Sequence, residues 1–243
     1  MPDAVPSPEG RFTSFAQAWQ ERAPLAVHRV HAATPHPLVE IETALDADGR
    51  LSVVLREGRH APRVVAEETW LQDADGAWFS VTGSVADAQR DGDGWTLQID
   101  RGELAHPEPY RLARARPFRG WVELPDRGGE ASERGTDQTY RRVSGLALHD
   151  GGGLASLPDD DPAAPLTVEL AQLVYAKTLP ILKLAVYRRP AEEVAWDTDA
   201  DAYAWTSPGA TRAGLNLRSV VTGWTLDDDA LPNSDDAGVP RST

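Results

Sequence analysis

Apolar and polar residues alternate with a period of two through most of this chain, which is the pattern of half-buried strands. From residue 38, LVEIETAL sets Val39, Ile41 and Thr43 against Glu40, Glu42 and Ala44, and LSVVLRE (51–57) follows. The alternation returns in APRVVAEETWL (61–71), AWFSVTGSVA (77–86) and WTLQID (95–100). Asp-x-Asp-Gly turns at 46–49, 73–76 and 91–94 separate these runs. Asp-Gly supplies the positive φ of a tight hairpin, and an Asp carboxylate can accept hydrogen bonds from its own turn backbone. The first hundred residues therefore predict a meander of hairpins.

A helical period occurs at RFTSFAQAWQERAP, where Phe15, Ala18 and Trp19 fall on one face, Thr13 or Ser14 can cap the start, and Pro24 ends it. In the second half, strands are predicted at 117–125, 139–150 and 217–226, with short runs at 194–196 and 202–206. Runs 166–176 and 179–189 read as two strands paired around Lys177-Thr178, because Pro180 and β-branched residues disfavour a helix. Segments 126–138 and 151–165 are Gly-rich and read as loops. The prediction is a mainly β protein, an antiparallel meander forming a barrel, with a two-sheet sandwich as the alternative and one short N-terminal helix. Residues 1–11 read as a mobile arm, 12–226 as a single β-rich domain and 227–243 as a disordered acidic tail. A boundary near 126–138 would instead divide two small β domains, each with a thin core and an open edge.

Composition narrows the function classes. The 243 residues carry 24 Lys+Arg against 38 Asp+Glu, a formal charge of −14. That charge disfavours general affinity for nucleic acid or anionic lipid. The chain has no cysteine, which excludes disulfides, thiolate metal sites and a cysteine nucleophile. No apolar run reaches transmembrane-helix length and no secretory signal opens the chain, so the expected location is cytoplasmic. Arginine almost replaces lysine, as coding bias in a GC-rich genome would produce. Eight tryptophans are several times ordinary usage, and such rings either fill cores or serve as ligand platforms.

Motif chemistry is sparse. The stretch from Asp197 to Asp201 begins like a calcium loop, but Ala202 stands where the turn needs Gly and Pro208 where a bidentate Glu belongs. His28, His31 and His36 cluster without a metal-site spacing. Neither GxSxG, SxxK nor a phosphate-cradling glycine loop occurs. Lys177 and Lys183 lie in the most apolar region and read as snorkelling side chains. YRLARARPFRGW (110–121) interleaves arginines with aromatics, as an anionic-ligand site would.

The expectation is a non-catalytic binding protein whose apolar interior or Trp/Arg-lined face holds a small molecule or a protein partner. Its candidate ligand-binding residues are Trp70, Trp78, Trp95, Arg116, Arg119 and Trp121, with no cofactor and no metal. The alternatives are a structural subunit of a larger assembly, and a cofactor-free barrel enzyme using an Arg/carboxylate acid–base pair.

Overall fold

The computed structural model describes residues 7–22, 36–59, 61–74, 76–81, 83, 85–125, 140–157, 165–175, 179–196, 198–217 and 219–228. Within them the alternating runs become antiparallel strands, and the one α-helix is α1, Phe15–Arg22. The described residues divide into two compact units. Of these, 7–18, the described part of 36–116 and 227–228 belong to one, and 19–22 with the described part of 117–226 to the other. No helix among the described residues is long and apolar enough to cross a membrane.

The first unit is a closed eight-stranded barrel, with neighbours in chain order: β1 (Gly10–Thr13), β2 (Val39–Leu45), β3 (Leu51–Glu57), β4 (Arg63–Gln72), β5 (Trp78–Ser80), β6 (Val85–Asp91), β7 (Gly94–Ile99) and β8 (Tyr110–Arg114). The Asp-rich turns behave as their chemistry dictates. Asp46 Oδ1 accepts from the backbone N–H of Asp48 and of Arg50 at 2.9 and 2.8 Å, and Asp73 Oδ1 accepts from Ala77 N at 2.9 Å. Gly49 and Gly76 take positive φ, but in the third turn that role falls to Gly92 (φ 58°).

β1 closes the barrel by pairing with β2 on one side and β8 on the other. Gly10 and Arg11, assigned to the arm by sequence, therefore lie in a strand, and the helix starts only at Phe15. Thr13 Oγ1 accepts from Phe15 N at 3.1 Å, while Ser14 Oγ accepts from Val39 N at 2.9 Å and ties the junction to β2. Arg114 clamps the incoming chain, donating from Nη1 to Glu9 O at 2.7 Å and from Nη2 to Ser7 O at 2.6 Å. The predicted strand 77–86 is two strands, broken before Val85, and β6 pairs Ala88 with Trp78.

The second unit consists of two four-stranded antiparallel sheets. One has the order β10 (Tyr140–His149), β9 (Pro117–Pro125), β16 (Val220–Leu226), β15 (Arg212–Leu217). The other runs β11 (Gly151–Leu157), β12 (Leu166–Tyr175), β13 (Leu179–Tyr187), β14 (Ala202–Thr206). Their inner faces share one core, in which Phe118, Val122 and Trp224 of the first sheet meet Val168, Leu170, Leu182 and Leu184 of the second. Burying such side chains contributes roughly 1.5–3 kcal/mol each relative to leaving them exposed. Both architectures weighed from the sequence are thus present in one chain: the barrel first, and a pair of facing sheets after it.

Three sequence expectations need correction. Gly151–Leu157, read as loop, is β11, because its glycines hide a strand whose register shifts between Gly151 and Gly153. Arg212–Leu217 forms β15, a hairpin partner of β16 that was missed. The short run expected at 194–196 is not a strand; a single 3₁₀ turn stands just before it, at Ala191–Glu193. The acidic tail beyond Asp228, the segments 126–138 and 158–164, and His28, His31, Lys177 and Asp197 lie outside the described residues.

Candidate functional site

Two Gly-Trp dipeptides lie on adjacent strands of the β10-β9-β16-β15 sheet: Gly120-Trp121 in β9 and Gly223-Trp224 in β16. The antiparallel register sets Trp121 opposite Gly223 and Trp224 opposite Gly120. Because side chains alternate along a strand, the two pairs occupy opposite faces of the sheet. Trp224 points into the core, is buried, and donates from Nε1 to Thr222 Oγ1 at 2.8 Å. Trp121 lies on the outer face, half-buried, with its indole so close over Gly223 that a Cβ there would stand 3.0 Å from the ring. One hydroxyl serves both, since Thr222 Oγ1 also donates to Trp121 O at 2.8 Å.

Outer-face neighbours complete the site. The Arg142 guanidinium sits 4.0 Å from the centroid of Trp121, a close cation–π stack. Glu123 Oε1 holds it by an ion pair at 3.3 Å, and Arg142 Nε also reaches Ser144 Oγ at 3.3 Å. Arg119 is exposed two residues before Trp121, and the register runs from it through Thr225 to the exposed Arg212. The described strand residues of this face include Arg119, Arg142 and Arg212 and the carboxylate of Glu123. Beside the indole the row continues into Gly223 and Gly214, which carry no side chains. The result is an indole laid across a glycine and capped by a stacked guanidinium, with a locally positive rim on an acidic chain.

The other sequence candidates lie elsewhere. Trp70, Trp78 and Trp95 are brought together inside the barrel, all buried. Their ring centroids lie 5.5 Å (Trp70 to Trp95) and 6.3 Å (Trp78 to Trp95) apart in edge-on geometry, and Phe12 joins at 6.2 Å from Trp95. Trp70 Nε1 donates to the buried carboxylate of Glu68 at 2.9 Å. Arg90 covers the group, 4.9 Å from Trp95 and 5.5 Å from Phe12. Burial first, and the nearby Arg114 charge second, lower the Arg90 pKa, with Asp93 opposing. These tryptophans interlock as the barrel core. Arg116 is half-buried in the short link between β8 and β9.

Metal and acid–base candidates find other partners. The ring nitrogens of His36 lie near Gln17 Nε2 and Glu108 O, each at 3.2 Å from Nε2, and its ring stacks 3.7 Å from that of His106. Among the described residues no three His, Asp or Glu side chains are grouped to hold a metal ion. The buried Glu40 lies beside Arg11 (3.4 Å) and Arg56 (4.0 Å), but it alternates with the core residues Val39 and Ile41 and so belongs to the barrel exterior. Lys183 Nζ lies 5.9 Å over Tyr203.

Comparison with protein-family models, with curated proteins and with solved structures gives no match. Of the residues gathered on this face, the sequence reading named Trp121 and Arg119 as candidates and did not name Arg142, Gly223 or Arg212. The repeated Gly-Trp dipeptide was the available signal, since two such pairs in antiparallel register must each set an indole across a glycine.

Proposed function

We propose that this protein is a non-catalytic binding protein that holds a planar, anionic small molecule on the Trp121 face of its second unit. The observation that carries this reading is the Trp121 indole lying across Gly223 with Arg142 stacked at 4.0 Å. The guanidinium of Arg142, held flat on the indole, presents a planar cationic surface, and guanidinium groups pair with carboxylate, sulfate or phosphate oxygens in their own plane. Arg119 and Arg212 extend the positive rim along the same face. The barrel interior is the weaker place for a ligand, because Trp70, Trp78, Trp95 and Phe12 pack against one another there.

Titration calorimetry with an aromatic sulfonate and a nucleoside monophosphate, against an uncharged aromatic of similar shape, tests the reading. The anions are expected to bind with an affinity that falls as salt rises. Trp121→Ala is expected to abolish that heat, Arg119→Gln to weaken it, and Trp205→Ala to leave it unchanged. Absence of binding by either anion, or binding indifferent to Trp121→Ala, refutes it.

A further inference from the structure

The edge of the other sheet carries a second, independent feature. In the order β11-β12-β13-β14, β14 is terminal and among the described residues pairs with β13 alone, from Val186↔Ala202 to Leu182↔Thr206. Natural edge strands are protected by charges, prolines or bulges. The β14 sequence AYAWT has no charge and no proline, and its register with β13 shows no shift. Tyr203 and Trp205 are 62% and 61% exposed, the two most exposed large hydrophobic side chains among the described residues. Both stand on the outer face, while Ala202, Ala204 and Thr206 turn half-buried toward the core.

We propose that β14 is a self-association edge, pairing antiparallel with β14 of a second copy about a two-fold axis at Ala204. Of the antiparallel registers about a two-fold, this one sets both aromatics of each copy opposite aromatics. Tyr203 falls directly opposite the second copy's Trp205, and Trp205 opposite its Tyr203, so two aromatic cross-strand pairs form on one face. The inner face meets through Ala204 against Ala204 and Ala202 against Thr206, all small. A C2 interface demands this kind of reciprocity.

Area sets the strength. Four rings, each burying 150–250 Å² when fully covered and here about three-fifths exposed, add roughly 400–600 Å². The strand backbones bring the total toward the lower end of specific interfaces, about 1,000 Å². The association is therefore weak and concentration-dependent. Charge sets its salt response. Each copy carries −14, the contact strip itself is uncharged, and added salt screens the repulsion between copies. Dimerisation strengthens as salt rises, opposite to a contact built on ion pairs.

Sedimentation velocity of the full chain, over a concentration series at low and moderate salt, reads this out. Self-association that grows with concentration and with salt is expected. Trp205→Glu and Tyr203→Lys are each expected to raise the dissociation constant at least about tenfold, with far-UV circular dichroism unchanged. Mixing the two variants is expected to restore association, because their new charges face each other only in the antiparallel register about Ala204. A second readout does not depend on those variants. The chain has no cysteine, so Ala204→Cys introduces a lone thiol at the axis, where opposed Cα atoms lie about 4.5–5.5 Å apart, within disulfide range. Thr206→Cys places the thiols' Cα atoms about 14 Å apart. Mild oxidation is expected to cross-link Ala204→Cys much faster than Thr206→Cys. A monomer at every concentration and salt, equal cross-linking of the two, or a dimer indifferent to both charge variants overturns the proposal. The Trp121 site lies on the other sheet, so neither result decides the ligand reading.

Discussion

Replacing a single glycine by alanine in the Gly-Trp pairs gives opposite outcomes on the two faces of one sheet. Neither Gly120 nor Gly223 has positive φ, so alanine can adopt both backbones. It also removes unfolded-state freedom, worth about 0.4–1 kcal/mol in favour of the fold. What differs is the neighbour. A Cβ at Gly120 would run into the Trp224 ring and Gly223 O, inside any real contact distance. Trp224 cannot retreat, because it is buried and its Nε1 is tied to Thr222. Overpacking a fixed core ring costs about 1–3 kcal/mol, and here the overlap is severe, so a net loss of about 2 kcal/mol is expected for Gly120→Ala. At Gly223 the new Cβ would meet Trp121 at 3.0 Å, and that half-buried ring can yield toward solvent by displacing the exposed Arg142 side chain rather than core. Gly223→Ala is expected to change stability by less than about 0.5 kcal/mol, since the entropic gain offsets the small displacement. It is expected to separate Trp121 from Arg142 and to weaken anion binding. Urea unfolding followed by circular dichroism, with an unchanged m-value, measures the first effect and calorimetry the second. Equal destabilisation by the two substitutions, or unimpaired binding by Gly223→Ala, would refute the reciprocal-pair reasoning.

Three further predictions concern stability and titration. Thr222→Val leaves Trp224 Nε1 without its acceptor in the core and removes the bond to Trp121 O; a loss of about 1–3 kcal/mol in urea unfolding is expected. Gly10→Ala forces a φ of +132° on alanine and sets its Cβ 2.5 Å from Arg114 Nη1. It is expected to loosen β1 and to speed amide exchange at Phe12 and Thr13 selectively. Hydrogen bonding from Arg63, then its charge, lowers the Glu103 pKa, and the same contact raises that of Arg63. A carboxylate depressed in the fold favours folding above its unfolded pKa and loses that contribution as pH falls through the folded value. The pair is fully exposed, so salt is expected to erase its effect. An NMR titration should place Glu103 below the ordinary carboxylate range, and return it there in Arg63→Gln.

Legibility followed locality. The hairpins around Asp46, Asp73 and Asp91 were readable because turn chemistry and alternation lie within a dozen residues of each other. β1 was not, because Phe12, Phe15 and Trp19 continue a helical spacing, and it is pairing with the distant β2 and β8, with Arg114, that holds Gly10–Thr13 extended. β11 was hidden because the glycines of Gly151–Gly153 look like a linker, and β15 because Arg212–Leu217 has few strongly apolar residues. In β10 a bulge between Ser144 and Leu146, with Gly145 at φ 76°, resets the alternation so that Leu146 and Leu148 still turn inward.

The tryptophan excess was the most conspicuous compositional signal, and the structure divides it by neighbour rather than by residue. Trp70, Trp78 and Trp95 fill a barrel whose eight strands enclose space that large rings pack. Trp224 needs a missing Cβ across the sheet, and Gly120 supplies the gap. Trp121 uses the same device on the solvent side, where filling a core cannot be its purpose and an arginine lies on its face. Trp205 has no glycine opposite it but Lys183, and it stands exposed on a strand with an open edge. The same residue type therefore has a structural role wherever its cross-strand partner leaves it buried. At Trp121 and Trp205 register sets it on an outer face instead, where the proposed ligand and the proposed second copy would meet it. Register is a pairwise property of two distant strands, which is why composition could announce the tryptophans without saying which of them a ligand or a second copy would meet.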